Sequence, residues 1–195
     1  MSRRELTWLL VAALAAGLAG LGLGAIAYGP GALERTTLGR IVLESLGETT
    51  LGEVAPPMEL LLLDGAAVRL PPPGRAVLIN YWASWCGPCR REMPLLSQFA
   101  HEQADNGLQV IGIAQEDPAD ARAYLATTPV GYRNAVEPPT DGNSSIRLGN
   151  TRNVLPYTVL IDAQGVIRAR RMGTFADRAD LDAWLAAAQL PADRP

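Results

Sequence analysis

Lysine is absent from this chain, and all 17 basic residues are arginine. No Schiff-base lysine, P-loop lysine or lysine general base is available. Histidine occurs once, as His101. A His-rich metal site and a Ser-His-Asp triad would both hang on that single residue. Cysteine occurs twice, as Cys86 and Cys89. Two cysteines and one histidine cannot close a four-ligand zinc site, and no metal or other cofactor is expected. Charged residues are only 19% of the chain, with a net charge of −3. Such a chain lacks the basic face that neutralises phosphates, so no nucleic-acid partner is expected. Apolar residues, in contrast, make up 48% of the 195 positions. That suffices for a packed core and excludes disorder of the whole chain.

Charge is also missing locally. From Leu6 to Tyr28 no residue is charged. As a helix this run reaches about 34 Å, enough to cross a hydrocarbon layer of about 30 Å. Trp8 and Tyr28 sit at its ends, where amphipathic rings favour the membrane interface. Arg3 and Arg4 precede it, which keeps the N-terminus cytoplasmic and exports the rest; Arg35 and Arg40 follow and weaken that bias. Residues 1–28 are therefore read as a signal anchor. A cleaved signal peptide is the alternative, since Ala25-Ile26-Ala27 fits a small-x-small site. A buried core helix fits less well, because the run has no polar face. Residues 29–53 read as a juxtamembrane stalk. Within it Leu38, Ile41, Val42 and Leu46 recur at helical spacing.

A domain is expected over residues 54–190, followed by a short tail, 191–195. Met58 to Leu63 and Ala67 to Leu70 read as a hairpin around Asp64-Gly65. Ala76 to Trp82 is apolar except for Asn80, the pattern of a buried central strand. A helix follows Cys86, with Pro94 inside it. Leu108 to Ala114 is a second buried strand. Asp117-Pro118 opens the next helix, with Asp as N-cap and Pro at the first helical position. A short strand near Tyr132 to Val136 and a helical turn near Ser144 to Leu148 come next. Tyr157 to Asp162 and Val166 to Met172 form a late hairpin, and Asp177 to Ala188 closes the chain as a helix. This order implies an α/β fold, a mixed sheet flanked by helices on both faces.

The chemistry concentrates in Trp85-Cys86-Gly87-Pro88-Cys89, where a buried strand hands over to a helix. Cysteines three apart in a first helical turn come close enough for a disulfide. Pro88 is tolerated there, because its missing N–H belongs to the unpaired donors of the first turn. The helix N-terminus favours a thiolate at Cys86, and Arg90 and Arg91 add to that field. Cys86, at the exposed end, is the expected attacking thiol, and Cys89 the resolving one. A purely structural role is a poor explanation, because a disulfide around two residues removes little chain entropy.

The stretch from Asn80 to Pro94, Asn-Tyr-Trp-Ala-Ser-Trp-Cys-Gly-Pro-Cys-Arg-Arg-Glu-Met-Pro, resembles the thioredoxin superfamily. More narrowly it resembles the membrane-anchored, extracytoplasmic TlpA/ResA-like disulfide reductases. The resemblance implies a thioredoxin fold behind an N-terminal transmembrane helix, and disulfide reduction on the periplasmic side of a bacterial inner membrane. It implies disulfide-bearing envelope proteins as partners, such as apocytochrome c or copper-site proteins, and a membrane thiol electron donor. Cytosolic thioredoxins carry an Asp where this chain has Asn80. Asn80 cannot accept a proton at the buried cysteine; the reductase subgroup instead uses a Glu after the next buried strand, a place that Glu116 matches, which implies a catalytic carboxylate that holds or accepts the Cys89 proton. An ordinary charge at a helix start is the competing reading of Glu116. Pro156 matches the superfamily's cis-proline facing the disulfide. Leu155 and Tyr157 flank it, whereas the subgroup more often has a smaller or β-branched residue before and Thr after. Trp85, Gly87, Pro88, Leu155 and Pro156 are the expected substrate-contacting residues.

Trp85 is expected to roof the site, and Tyr81 and Trp82 to fill core. His101 lies about 18 Å along the helix from Cys89 and is expected at the surface. Arg168, Arg170 and Arg171 are expected to be a solvated strand edge. Two other functions fit the same cysteines: an envelope copper(I) chaperone, since copper(I) favours thiolates, and a disulfide oxidant on the same fold. A peroxidase does not fit, because no cysteine lies outside the pair.

Overall fold

A computed structural model of the chain describes residues 51–103, 107–140 and 142–188. The expected anchor (1–28), most of the stalk (29–53) and the tail (191–195) lie outside the described residues. Among the described residues no helix is long and apolar enough to cross a membrane.

Seven strands form one sheet: β1 (Met58–Leu62), β2 (Ala67–Leu70), β3 (Val77–Trp82), β4 (Gln109–Ala114), β5 (Arg133–Val136), β6 (Tyr157–Ile161) and β7 (Ile167–Met172). Their order is β2-β1-β5-β4-β3-β6-β7. The central β5, β4 and β3 run parallel, and every other pairing is antiparallel. The helices are α1 (Gly87–Gln103), α2 (Pro118–Thr127), the single turn α3 (Ser144–Arg147) and α4 (Arg178–Ala187). This is the expected mixed α/β sheet, and its element order follows the hydrophobic pattern closely.

β3 is buried at all six positions, as a central strand covered on both faces must be. Its residues alternate between two cores. Val77, Ile79 and Tyr81 join Ile111, Ile113, Val159 and Ile161 on one face. Leu78 and Trp82 face the other, with Leu96 and Phe99 of α1 and Leu181 of α4. The buried residues of α1, Cys89, Glu92, Met93, Leu96 and Phe99, form one stripe at helical spacing. The two faces are covered unequally. Ala121 of α2 joins Trp82, so α1, α2 and α4 share one face. Leu148, the C-cap of α3, packs on the other.

Tyr81 and Trp82 fill core as expected. Trp82 also donates its indole N–H to Asn134 Oδ1 at 2.9 Å. Asn134 in turn donates to the Tyr132 carbonyl. Gly112 sits between Asn80 and Asn134 in the strand register. A Cβ there would stand 2.0 Å from Asn134 Oδ1 and 3.0 Å from Trp82 Nε1. Gly112→Ala must break this buried pair of hydrogen bonds, an expected loss of about 2 kcal/mol. Urea unfolding checks it; an alanine variant as stable as the parent would contradict the packing.

The late arginines lie on the edge strand β7, as expected, but they are less solvated than expected. Arg168 pairs with the buried Asp162 at 2.6 Å, and Arg171 pairs with Asp180 at 2.6 Å while stacking over Phe175. They are half-buried and paired because the turn after β6 and the start of α4 bring carboxylates to this strand. His101 is exposed, as expected.

Candidate active site

The parallel central strands place their carboxyl ends together, and β6 starts at that same end because Tyr157 pairs with Tyr81. One end of the sheet therefore gathers residues 83–89, Gln115-Glu116, Glu137 and Leu155-Pro156. Ligand chemistry in open α/β sheets collects at such an end.

Cys86 and Cys89 are joined in a disulfide, with Cα atoms 5.3 Å apart. Cys86 stands immediately before α1, and its sulfur accepts the Cys89 N–H at 3.2 Å. It occupies the place of an N-cap side chain, receiving a donor that the first turn leaves unpaired. The first turn of α1 carries no acidic residue. When the bond is reduced, this N–H and the helix dipole both stabilise negative charge on the Cys86 sulfur. Pro88 falls in the first turn and costs no helical hydrogen bond. Cys89 is fully buried and Cys86 is 5% exposed. The attacking sulfur is thus more recessed than its position at the helix start suggested, although it remains the more accessible of the two.

Trp85 stands in the turn immediately before Cys86. It is 70% exposed, the most exposed large apolar side chain among the described residues. Trp82, Ala83 and Met93 are instead buried in one cluster with both cysteines. Trp85 is therefore free to meet another molecule. Gly87 is half-buried and Pro88 exposed, beside the sulfurs. Leu155 is half-buried and packs against the cluster that holds both cysteines. The Leu155–Pro156 bond is cis, as the resemblance implied; a second cis bond, Leu70–Pro71, was not foreseen.

Glu116 is buried at this same end. Its Oε1 accepts the Ser84 N–H at 2.8 Å and its Oε2 accepts the Ser84 hydroxyl at 2.6 Å. Both carboxylate oxygens thus hold the turn that carries Trp85 and Cys86. Asn80, in β3 four residues before Ser84, is fully buried. It donates to Thr158 Oγ1 and to Glu92 Oε1, and its own Oδ1 has no partner.

Glu92 is the residue that the sequence reading missed. It is 1% exposed, three residues after Cys89 on the buried stripe of α1. Besides the Asn80 amide it accepts the Phe175 N–H at 3.1 Å. Burial pushes its carboxyl up to about 7, against the opposing pull of those two hydrogen bonds and of Arg171. A group that exchanges a proton near neutrality therefore sits on the helix of the redox pair. The signal was present in the sequence: Glu92 shares the face of Cys89, Met93 and Leu96, where a solvated charge does not belong.

The AhpC/TSA family profile matches residues 51–170. The chain is 33% identical over 175 residues to the thiol:disulfide interchange protein DsbE homolog of Paracoccus denitrificans, covering 89% of this chain and 88% of that protein. It is 27% identical over 155 residues to the thiol-disulfide oxidoreductase ResA of Geobacillus kaustophilus, covering 72% and 86%. A crystal structure of a thiol:disulfide interchange protein of the thioredoxin family from Chlorobium tepidum is similar, with a TM-score of 0.58 at 27% identity, covering 72% of this chain and 98% of that one. A secreted thiol-disulfide isomerase from Corynebacterium glutamicum superposes with a TM-score of 0.59 at 25% identity, covering 69% and 84%.

Proposed function

The chain belongs to the AhpC/TSA family and is a thiol–disulfide oxidoreductase, and from that premise we propose that it reduces protein disulfides in a bacterial envelope. The observation that carries this is the Cys86–Cys89 pair, with the Cys86 sulfur on the Cys89 N–H at the start of α1. In the reduced protein the Cys86 thiolate attacks a substrate disulfide. A Cys86–substrate bond forms, and one substrate sulfur leaves as thiolate. Cys89, deprotonated, then attacks the Cys86 sulfur and releases the second substrate thiolate. The substrate gains two electrons and two protons, and Cys86–Cys89 closes. An external dithiol must reopen it, and a membrane thiol donor is the proposed supplier.

Residues 1–28 serve in this reading as the anchor and residues 29–53 as the stalk, with residues 54–190 on the periplasmic side. The uncharged run from Leu6 to Tyr28 supports the tether. The secreted relative's fold supports an exported domain. Apocytochrome c and copper-site proteins are the proposed substrates, on the resemblance of the Asn80–Pro94 stretch. Trp85, Gly87, Pro88, Leu155 and Pro156 are the proposed substrate-contacting residues, and Glu116 orders the Cys86 turn against them.

Alkylation of free thiols in intact cells tests the direction of transfer. A working reductant is held mostly as the Cys86/Cys89 dithiol, and removing its donor converts it to the disulfide. A pair found mostly oxidised regardless of the donor identifies an oxidant instead.

A further inference from the structure

Leu155 borders the disulfide, yet it belongs to no strand; β6 begins two residues later. What fixes this segment is a buried amide. Gly149, at φ +99°, ends the turn after α3, and Asn150 follows with its N–H donating to the Ser145 carbonyl. The Asn150 side chain is fully buried. Its Oδ1 accepts the Val154 N–H at 3.0 Å and its Nδ2 donates to the Val154 carbonyl at 3.0 Å. The Asn150 carbonyl also accepts the Asn153 N–H. One amide therefore satisfies both polar groups of Val154, the residue before Leu155. Among the described residues the Leu155 N–H and C=O have no hydrogen-bond partner, and the residue packs against the cluster that holds both cysteines.

The same amide is tied to the rest of the site. Its Nδ2 approaches Ser145 Oγ at 3.5 Å, and that hydroxyl accepts the Gln115 amide at 2.9 Å. Gln115 precedes Glu116, which holds Ser84 in the Cys86 turn. A buried polar chain thus runs from Val154 through Asn150, Ser145 and Gln115-Glu116 to Ser84. It connects the two loops between which a polypeptide would lie.

We propose that Asn150 is a positioning residue for polypeptide substrates: by clamping Val154 it presents the free Leu155 backbone to an extended segment whose disulfide meets Cys86. The proposal rests on the exchange reaction proposed above. A small disulfide needs only the Cys86 sulfur, whereas a polypeptide needs the ordered edge as well. Asn150 should therefore separate the two substrate classes.

The test compares the full chain with Asn150→Ala and Asn150→Asp on insulin and on dithionitrobenzoate. For Asn150→Ala the expected result is a rise of about tenfold in KM for insulin, the scale of one lost hydrogen bond. Both kcat and the dithionitrobenzoate rate should stay within about twofold. Asn150→Asp serves also if the alanine variant does not fold. Protonated, the aspartic acid accepts from the Val154 N–H and donates to the Val154 carbonyl, as the amide does. Ionised, it sets a carboxylate oxygen against that carbonyl. Its insulin-to-dithionitrobenzoate rate ratio should therefore fall as pH rises, while the parent's ratio does not. Glu137, reached through Ser144, and Arg170, against Gly149, are the neighbouring charges and are common to both proteins. Parallel losses on both substrates, or a pH-independent ratio in Asn150→Asp, would overturn the proposal. A parent chain inactive on both substrates would instead overturn the exchange reaction itself.

Discussion

Cys86→Ser abolishes disulfide reduction, leaving only the background rate of the added reductant. The expected loss is on the order of 10³-fold or more, the scale of removing a nucleophile. A hydroxyl at the start of α1 still accepts the Cys89 N–H, so the fold is kept while the thiolate is lost. Cys89→Ser behaves differently. Cys86 can still attack, but nothing resolves the mixed disulfide, so the variant accumulates covalently bound substrate. Insulin reduction followed with each variant, and gel analysis without reductant, read both effects. A Cys86→Ser variant with parental activity, or a Cys89→Ser variant that never retains substrate, would contradict the assigned order of attack.

The second large effect is a dependence of stability on pH that belongs to Glu92. Its carboxyl titrates at about 7 in the folded protein, against an ordinary value of 4.5. Between these values the folded state holds a proton that the unfolded chain has released. The favourable contribution is therefore complete below about pH 4.5 and is lost as pH rises to about 7. The full excursion is roughly 3 kcal/mol. Glu92→Gln carries no such proton, so its unfolding free energy changes less over the same interval. Urea unfolding of the oxidised parent and variant at pH 4.5 and pH 8 isolates the term, because all other groups are common to both. The parent is expected to lose roughly 3 kcal/mol more than the variant between the two conditions. Equal pH dependence in both proteins would remove Glu92 from this role.

Most of the fold was legible because the apolar pattern changes period where the structure changes element. The unbroken run from Ala76 to Trp82 became the buried β3, and Asp117-Pro118 became a real cap, with Asp117 accepting the Ala119 N–H. The cysteine pair was legible because its chemistry is local, three positions apart at the start of one helix. What escaped depends on distant partners. Glu92 stands on the apolar stripe of α1, but the partners that hold it there, Asn80 and Phe175, are distant in the chain. Arg168 and Arg171 read as a solvated edge until Asp162 and Asp180 arrive from a turn and a helix start. Asn150 lies in a stretch rich in Asn, Ser and Gly, where composition says loop and nothing more.

The reducing character of the Cys86–Cys89 pair is the central claim, and its equilibrium reduction potential tests that claim most directly. The chain equilibrated with a thiol buffer of known potential should show half-reduction near or below about −250 mV, alongside thioredoxin. A value near or above about −150 mV would place the pair with the strong oxidant DsbA and reverse the direction of transfer.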